Sequence, residues 1–339
     1  MGIDKVQSGW DKYGQPIYFF TIRNESGAAL RLCSMGAAIQ ALMVPDRQGN
    51  LTDIIPGYDT GSEYCGNAPH FGAMIGRCCN RIRGAAFELE GRQHFLSINS
   101  GKNHIHGGVQ GFDHTNWSGR IVNENTVAFD AVFPDGLEGY PGNLQVTVQY
   151  TWNDRNQMTL GYRGISDKTT IFNPTSHTYF NLNGQGCDAV LNHIVQLSAP
   201  NRLELDEEFL PTGNVLPVAG TDYDLLKARP LSFDQTAAAP KSGFFLLDPE
   251  SPVAASVSSP QTGIRMDVRT SLPFLVFYTG YAVKPGITGK NGTEYSPYCG
   301  LCVETSHPID AIHHPHLPQF ILPANTEQEQ WTEFSFGIC

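Results

Sequence analysis

Residues 144–152 read LQVTVQYTW, a strict alternation of large apolar and polar side chains. In an extended chain Leu144, Val146, Val148, Tyr150 and Trp152 share one face, while Gln145, Thr147, Gln149 and Thr151 share the other. That period of two marks a strand with one face in a core. Shorter runs of the same kind occur at 17–22, 126–133, 158–162, 193–197, 274–278 and 331–336. The turn-forming pairs Asp135-Gly136, Asn183-Gly184 and Asn291-Gly292 lie between runs, as tight connections between antiparallel strands require. Helical patterning is confined to 59–64 and 310–313, each enough for a turn or two. Many short strands without intervening helices predict an all-β chain, a large antiparallel β-sandwich. With no linker, low-complexity tract or fixed-period repeat in view, residues 1–339 are expected to form a single domain.

Composition bounds the function. Hydrophobic residues make up 40% of the 339 positions, enough to bury a sizeable core. The 35 glycines and 22 prolines are dispersed, which suits many turns rather than a collagen-like repeat. A formal charge of −11 argues against nucleic acid or an anionic membrane as partner, because both select clustered Lys and Arg. The opening MGIDKVQSGW lacks a basic region followed by an apolar run, and Val6 stands where a myristoylation motif wants Ser or Thr. No stretch approaches the roughly 18 unbroken apolar residues of a membrane helix. Two of the eight cysteines, Cys78 and Cys79, are adjacent, and a chain this long has little need of disulfide staples. The expectation is a cytoplasmic protein with reduced thiols.

Several polar clusters interrupt the strand pattern. His104 and His106 flank Ile105 and share a face if the segment is extended, which is also a metal-ligand spacing. His313, His314 and His316 form a second histidine cluster, and Cys299 and Cys302 have the spacing of a redox or zinc pair. A structural zinc site usually joins two such pairs and only one CxxC is present, so no metal is expected. His177 lies in the polar run PTSHTYFNLNG, where it either supports a turn or carries chemistry. Glu304 follows Leu301, Cys302 and Val303, placing a carboxylate where a buried strand is expected to end; there it must be paired, hydrogen-bonded or functional. Arg77, Arg81 and Arg83 sit among glycines without any nucleotide-binding spacing.

Taken together, GRCCNRI (76–82), NHIHGGVQGFDHTNW (103–117), DGLEGYPG (135–142), NPTSHTYFNLNG (173–184), PTGNVLPV (211–218), DYDL (222–225), FYTG (277–280) and CVETSHPIDA (302–311) resemble the aldose 1-epimerase (galactose mutarotase) family, in the family's order. The resemblance implies a large β-sandwich with its site on a concave sheet, and interconversion of the anomers of a free aldose. It implies His177 as general acid at the ring oxygen, Glu304 as general base at the anomeric hydroxyl, and His106 as a hydrogen-bonding assistant. Asn80, Arg81 and Asp224 would hold sugar hydroxyls. Ring opening and closure move two protons and nothing else, so neither cofactor nor metal is implied. The partner is a small monosaccharide, and monomer and homodimer both fit.

Three positions depart from the family's pattern: Val276 replaces a glutamine, Ser306 follows Glu304 where glutamine is usual, and Ser176 precedes His177 in place of asparagine. These spare the acid and base and bear on which sugar is bound. Other readings are a phosphosugar epimerase using the three arginines, a hydrolase using Glu304 and Asp224, and a carbohydrate-binding or sugar-sensing domain without catalysis.

Overall fold

The computed structural model describes residues 2–187, 189–231 and 242–339. Every strand pairing in its sheets is antiparallel. The segment Leu144–Trp152 is a nine-residue strand whose apolar face is buried throughout and whose other face is partly open. It pairs with Thr126–Phe133 on one side and Gln157–Ser166 on the other. These belong to a nine-stranded sheet that also contains Glu327–Ile338, Ile264–Thr270 and Ala255–Ser258. Glu327–Ile338 lies between Gln157–Ser166 and Ile264–Thr270, joining strands from the two halves of the chain.

Facing this sheet is a six-stranded one, ordered Tyr179–Phe180, Leu301–Ser306, Phe274–Tyr278, Ser242–Leu246, Asn201–Leu205 and Pro211–Pro217. Phe274–Tyr278 in its middle is covered on both faces and reads as a continuous apolar run, FLVFY. Leu275, Phe277, Leu301 and Val303 point into the main core, beside Val146, Val148, Leu160 and Phe334 of the nine-stranded sheet. Phe274, Val276 and Glu304 point the other way. A five-stranded sheet formed by residues 2–53 closes one end and adds Phe20, Ile22, Leu30 and Leu32 to the same core. Among the described residues, helical structure is limited to short 3-10 turns such as Gly61–Gly66 and Ala311–His313. No helix among the described residues is long and apolar enough to cross a membrane.

The predicted strands at 126–133 and 274–278 match the observed bounds. The strand carrying Glu304 does not end there; it runs from Leu301 to Ser306 with every residue buried. Polar residues continue it because their hydroxyls find partners: Thr305 Oγ1 lies 2.6 Å from Thr332 Oγ1, and Ser306 Oγ donates to the His307 carbonyl at 2.9 Å.

The core predicts its own sensitivity. Phe129 is fully buried and packs edge-on against Phe20 at 5.5 Å and Tyr150 at 6.1 Å. Phe129→Ala is expected to lower unfolding free energy by about 3–5 kcal/mol through lost burial and a residual cavity. Val132→Ala, at a position 66% exposed, should change it by less than about 0.5 kcal/mol. Urea unfolding of both variants checks the contrast.

Candidate active site

The outer face of the six-stranded sheet forms the floor of a cavity of about 640 Å³. Loops at 68–70, 80–81, 105–106 and 281–287 wall it. A cavity of this size suits a small organic ligand.

Glu304 reaches the floor from the middle of its strand, 4% exposed. His177 sits between two short strands, Thr175–Ser176 and Tyr179–Phe180, the latter paired to the Glu304 strand. Its backbone is held on both sides: its N–H donates to the Ala73 carbonyl at 2.9 Å, and its carbonyl accepts from Gly72 N–H at 3.2 Å. The result places His177 Nε2 3.7 Å from Glu304 Oε1, with Nδ1 3.7 Å from Cys302 Sγ. Burial pushes the Glu304 carboxyl up to about 8 and the His177 imidazole down to about 3, the latter also disfavoured by nearby His70. Both groups are driven toward neutrality. Near pH 7 the pair therefore holds a single proton, the stock that an acid–base exchange across a ligand needs.

His104 and His106, expected on one face, part company. The strand stops at Ile105 and His106 adopts a left-handed backbone, φ 56°. His104 turns into the protein, where Nδ1 lies 2.7 Å from the Ser97 carbonyl and Nε2 2.8 Å from the Tyr140 hydroxyl. His106 turns into the cavity, and its Nδ1 accepts from Asn80 N–H at 3.2 Å. Gly107 makes this corner possible: at φ 82°, a Cβ there would fall 1.8 Å from the Gly76 carbonyl oxygen.

Asn80 and Arg81 both line the cavity, with the Arg81 guanidinium over the Phe209 ring at 5.7 Å. Arg77 and Arg83 do not line it. Arg77 is buried and donates to the carbonyls of Pro141, Phe133 and Gly142 and to Thr170 Oγ1. Arg83 bridges Asp206 and Asp310. This removes two of the three arginines that a phosphosugar reading invoked. Asp224 also stands apart: in a turn away from the cavity, its carboxylate accepts from Gly220 N–H at 3.1 Å and Leu226 N–H at 3.2 Å. Aspartates commonly stabilise turns in this way. The hydrolase reading loses its second carboxylate with it.

The remaining clusters have local explanations. His313 Nδ1 is 2.7 Å from Asp310 and His316 Nε2 is 2.8 Å from the Gly213 carbonyl. All eight cysteines are free. Cys302 does approach the acid–base pair, and the ligand atoms of His177, Cys302 and Glu304 lie within 4.8 Å of one another.

One residue escaped the sequence reading. His70 lines the cavity, its ring 5.1 Å from that of His106 and 5.7 Å from that of His177. Its Nδ1 lies 2.8 Å from the buried carboxylate of Asp113, which His114 also approaches at 3.3 Å. The signal was present in APHFG and GFDH, but 43 residues separate the partners and no spacing rule connects them. His70, Asn80, His106 and Phe209 all line the cavity with positive φ, between 56° and 60°. Such backbones cost about 1–3 kcal/mol each and gather where a site is held in shape by its surroundings.

Comparison with known proteins decides the family. The profile described as "Aldose 1-epimerase" matches residues 18–335. The chain belongs to the aldose 1-epimerase family. It is 38% identical over 318 residues to a galactose mutarotase from Sus scrofa, covering 91% of each chain. It is 35% identical over 338 residues to an aldose 1-epimerase from Escherichia coli (strain K12), covering 95% of this chain and 96% of the other. Among solved structures, a galactose 1-epimerase from Lactobacillus acidophilus superposes with a TM-score of 0.88 at 27% identity, covering 100% of this chain and 99% of that one. An aldose epimerase homologue from C. elegans gives 0.89 at 26% identity, with 94% and 98% covered. Members of the aldose 1-epimerase family are isomerases.

The buried carboxyl makes a stability prediction with a definite sign. Glu304 stays protonated up to about pH 8 when folded, against 4.5 as its ordinary value. Between those values unfolding releases its proton, so rising pH favours the unfolded chain. Glu304→Gln removes that release while keeping the shape. The melting temperature of Glu304→Gln should exceed that of wild type by a margin that grows from pH 5 to pH 8. A margin that stays constant over this range would mean that Glu304 is ionised in the folded protein.

Proposed function

We propose that this chain interconverts the α and β anomers of a free aldose, with galactose, glucose and their relatives as the substrate class, and that residues 1–339 act as one catalytic domain. The observation that carries the mechanism is the Glu304–His177 pair, two buried groups 3.7 Å apart that both line the cavity. A bound sugar changes which form of each group is favoured. An anomeric hydroxyl donating to Glu304 favours its carboxylate, and a ring oxygen accepting from His177 favours its imidazolium. Glu304 then takes the proton from O1 as His177 delivers one to O5, and the C1–O5 bonding electrons pass to O5. The aldehyde rotates about C1–C2, and closure on its other face returns both protons.

His70 and His106 supply further hydrogen-bonding nitrogens around the ring, with Asn80 and Arg81 opposite the sheet. Nothing in this exchange is oxidised or transferred, and the reading uses no cofactor. A free monosaccharide is the proposed partner, and the cytoplasm the proposed location.

Polarimetry of freshly dissolved α-galactose and α-glucose tests the reading, the expected result being equilibration well above the spontaneous rate. Glu304→Gln and His177→Asn should each lower kcat by about 10²–10⁴-fold, the usual contribution of a general acid or base. A Glu304→Gln variant retaining more than half of wild-type kcat would exclude this mechanism. Because Cys302 adds a third donor atom to the pair, exhaustive chelation is a needed companion measurement: activity should survive it. Loss restored by zinc would assign His177, Cys302 and Glu304 to a metal instead.

The pH profile follows from these two shifts. A second proton enters the pair only toward pH 3, and the last one leaves near pH 8. The value of kcat/KM should therefore hold through neutral pH and fall above about pH 8. A profile still flat at pH 9.5 would contradict paired proton transfer.

A further inference from the structure

Cys302 and Glu304 are two residues apart on one strand, so their side chains share a face, while Leu301 and Val303 are held in the main core behind them. The neighbouring strand is Tyr179–Phe180, in which Tyr179 is opposite Cys302. Carried two residues further, that antiparallel register brings His177 level with Glu304. One thiol, one imidazole and one carboxyl meet there. His177 Nδ1 is 3.7 Å from Cys302 Sγ, and Nε2 is 3.7 Å from Glu304 Oε1. One donor atom from each residue lies within 4.8 Å of the other two, and all three residues are buried.

Sulfur, nitrogen and oxygen donors at this spacing suit a metal ion as well as a proton. Bonds of about 2.0–2.3 Å put the ligands of a tetrahedral zinc about 3.3–3.6 Å apart. Each nitrogen of His177 already stands close to that distance from one of the other donors. With one nitrogen committed to the ion, the three side chains close on it by shifts of about 1 Å. Thiolate and imidazole favour a borderline-soft cation and disfavour Mg²⁺ and Ca²⁺, which take oxygen. A thiolate, a carboxylate and a neutral imidazole carry two negative charges between them. One divalent cation cancels both, so the buried cluster gains no net charge.

Glu304 and His177 line the cavity, whereas Cys302 stands behind them. An ion held by all three is therefore reached from the cavity, and its fourth position is left to water, as at an open zinc site. It also occupies the oxygen and nitrogen lone pairs through which the two protons of ring opening would pass. Cys302 differs from its partners in this respect: the acid–base exchange makes no use of its thiol, but the ion does. That difference separates the two chemistries by experiment.

We propose that His177, Cys302 and Glu304 form an inhibitory site for thiophilic divalent cations, Zn²⁺ first among them, and that the ion and the sugar exclude one another. The effect on rate rests on the mutarotase reading above; the binding of the ion rests on the three side chains alone. In binding, sulfur, nitrogen and oxygen each give an electron pair to the cation. The Cys302 thiol and the Glu304 carboxyl release their protons to solvent, and nothing is oxidised or reduced. Zn²⁺ should raise the apparent KM for the sugar and leave kcat at saturating sugar unchanged. A chelator should restore full activity, and Mg²⁺ and Ca²⁺ should have no effect.

The test uses a parent protein carrying Cys187→Ser and Cys339→Ser, because those two thiols are exposed and would take metal at the surface. Polarimetry with α-galactose is run against free Zn²⁺ for this parent and for the same protein with Cys302→Ser. The serine should keep metal-free turnover near that of the parent and weaken zinc inhibition by about 10²-fold, the upper end of what even indirect partners of a metal contribute. Co²⁺, bound in place of Zn²⁺, should give the parent a sulfur-to-metal charge-transfer band that Cys302→Ser lacks and that galactose abolishes. The cobalt spectrum of the parent stands as a test even if the serine variant does not fold. Zn²⁺ without effect on the parent's rate would overturn the proposal, as would equal inhibition of parent and Cys302→Ser. A cobalt complex without the sulfur band would do the same. Activity lost on chelation and restored by zinc would overturn the inhibitory role. A parent that equilibrates no sugar would instead remove the mutarotase reading, and the cobalt band would still decide whether the three side chains bind the ion.

Discussion

A strand covered on both faces can carry a polar side chain only where that group is bonded or opens into a cavity. Leu301–Ser306 is such a strand, and the rest of the site is arranged around this condition. Leu301 and Val303 bind it to the nine-stranded sheet through the main core. The alternation that secures those two residues turns Cys302 and Glu304 to the opposite side, where His177 faces both. The carboxyl is therefore held by packing that lies behind it. Displacing Glu304 by one residue would turn it into the apolar core, so the register that builds the fold also aims the base.

The loops answer a different requirement. Imidazole and amide groups must converge over the carboxyl from segments distant in sequence, and regular strands cannot turn tightly enough to bring them there. Left-handed residues do this at His70, Asn80 and His106. Glycines allow the backbones to meet, as at Gly107 against the Gly76 carbonyl. Burial then sets the charge: the carboxyl and the His177 imidazole are both pushed toward their neutral forms. His70 differs from its two neighbours in having the Asp113 carboxylate behind it.

Legibility in the sequence followed the physics of each element. The strand 144–152 was plain because one face meets the core and the other does not. The edge strand Gly2–Trp10 has mostly exposed side chains on both faces, and its sequence shows no alternation. The end of the Glu304 strand was misplaced because polar Thr305 and Ser306 resemble a terminus until their hydroxyl partners are known. The motifs brought out Glu304, His177, His106, Asn80 and Arg81, all of which line the cavity. They could not show that Asp224 serves its own turn, since DYDL suits a ligand and a turn equally well. His70 was hidden for the converse reason: its meaning lies in Asp113, a partner that only the fold brings near.

The position of Glu327–Ile338 in the middle of the nine-stranded sheet has a consequence for biosynthesis. Strands 118–166 and 255–270 are made earlier, yet they meet only across this later segment. Until it emerges from the ribosome, Gln157–Ser166 and Ile264–Thr270 each present an open row of backbone donors and acceptors, the kind of edge that invites pairing with other chains. The sheet is closed from its centre only once this segment is made, and the nascent chain must keep two half-sheets apart and unaggregated until the keystone arrives.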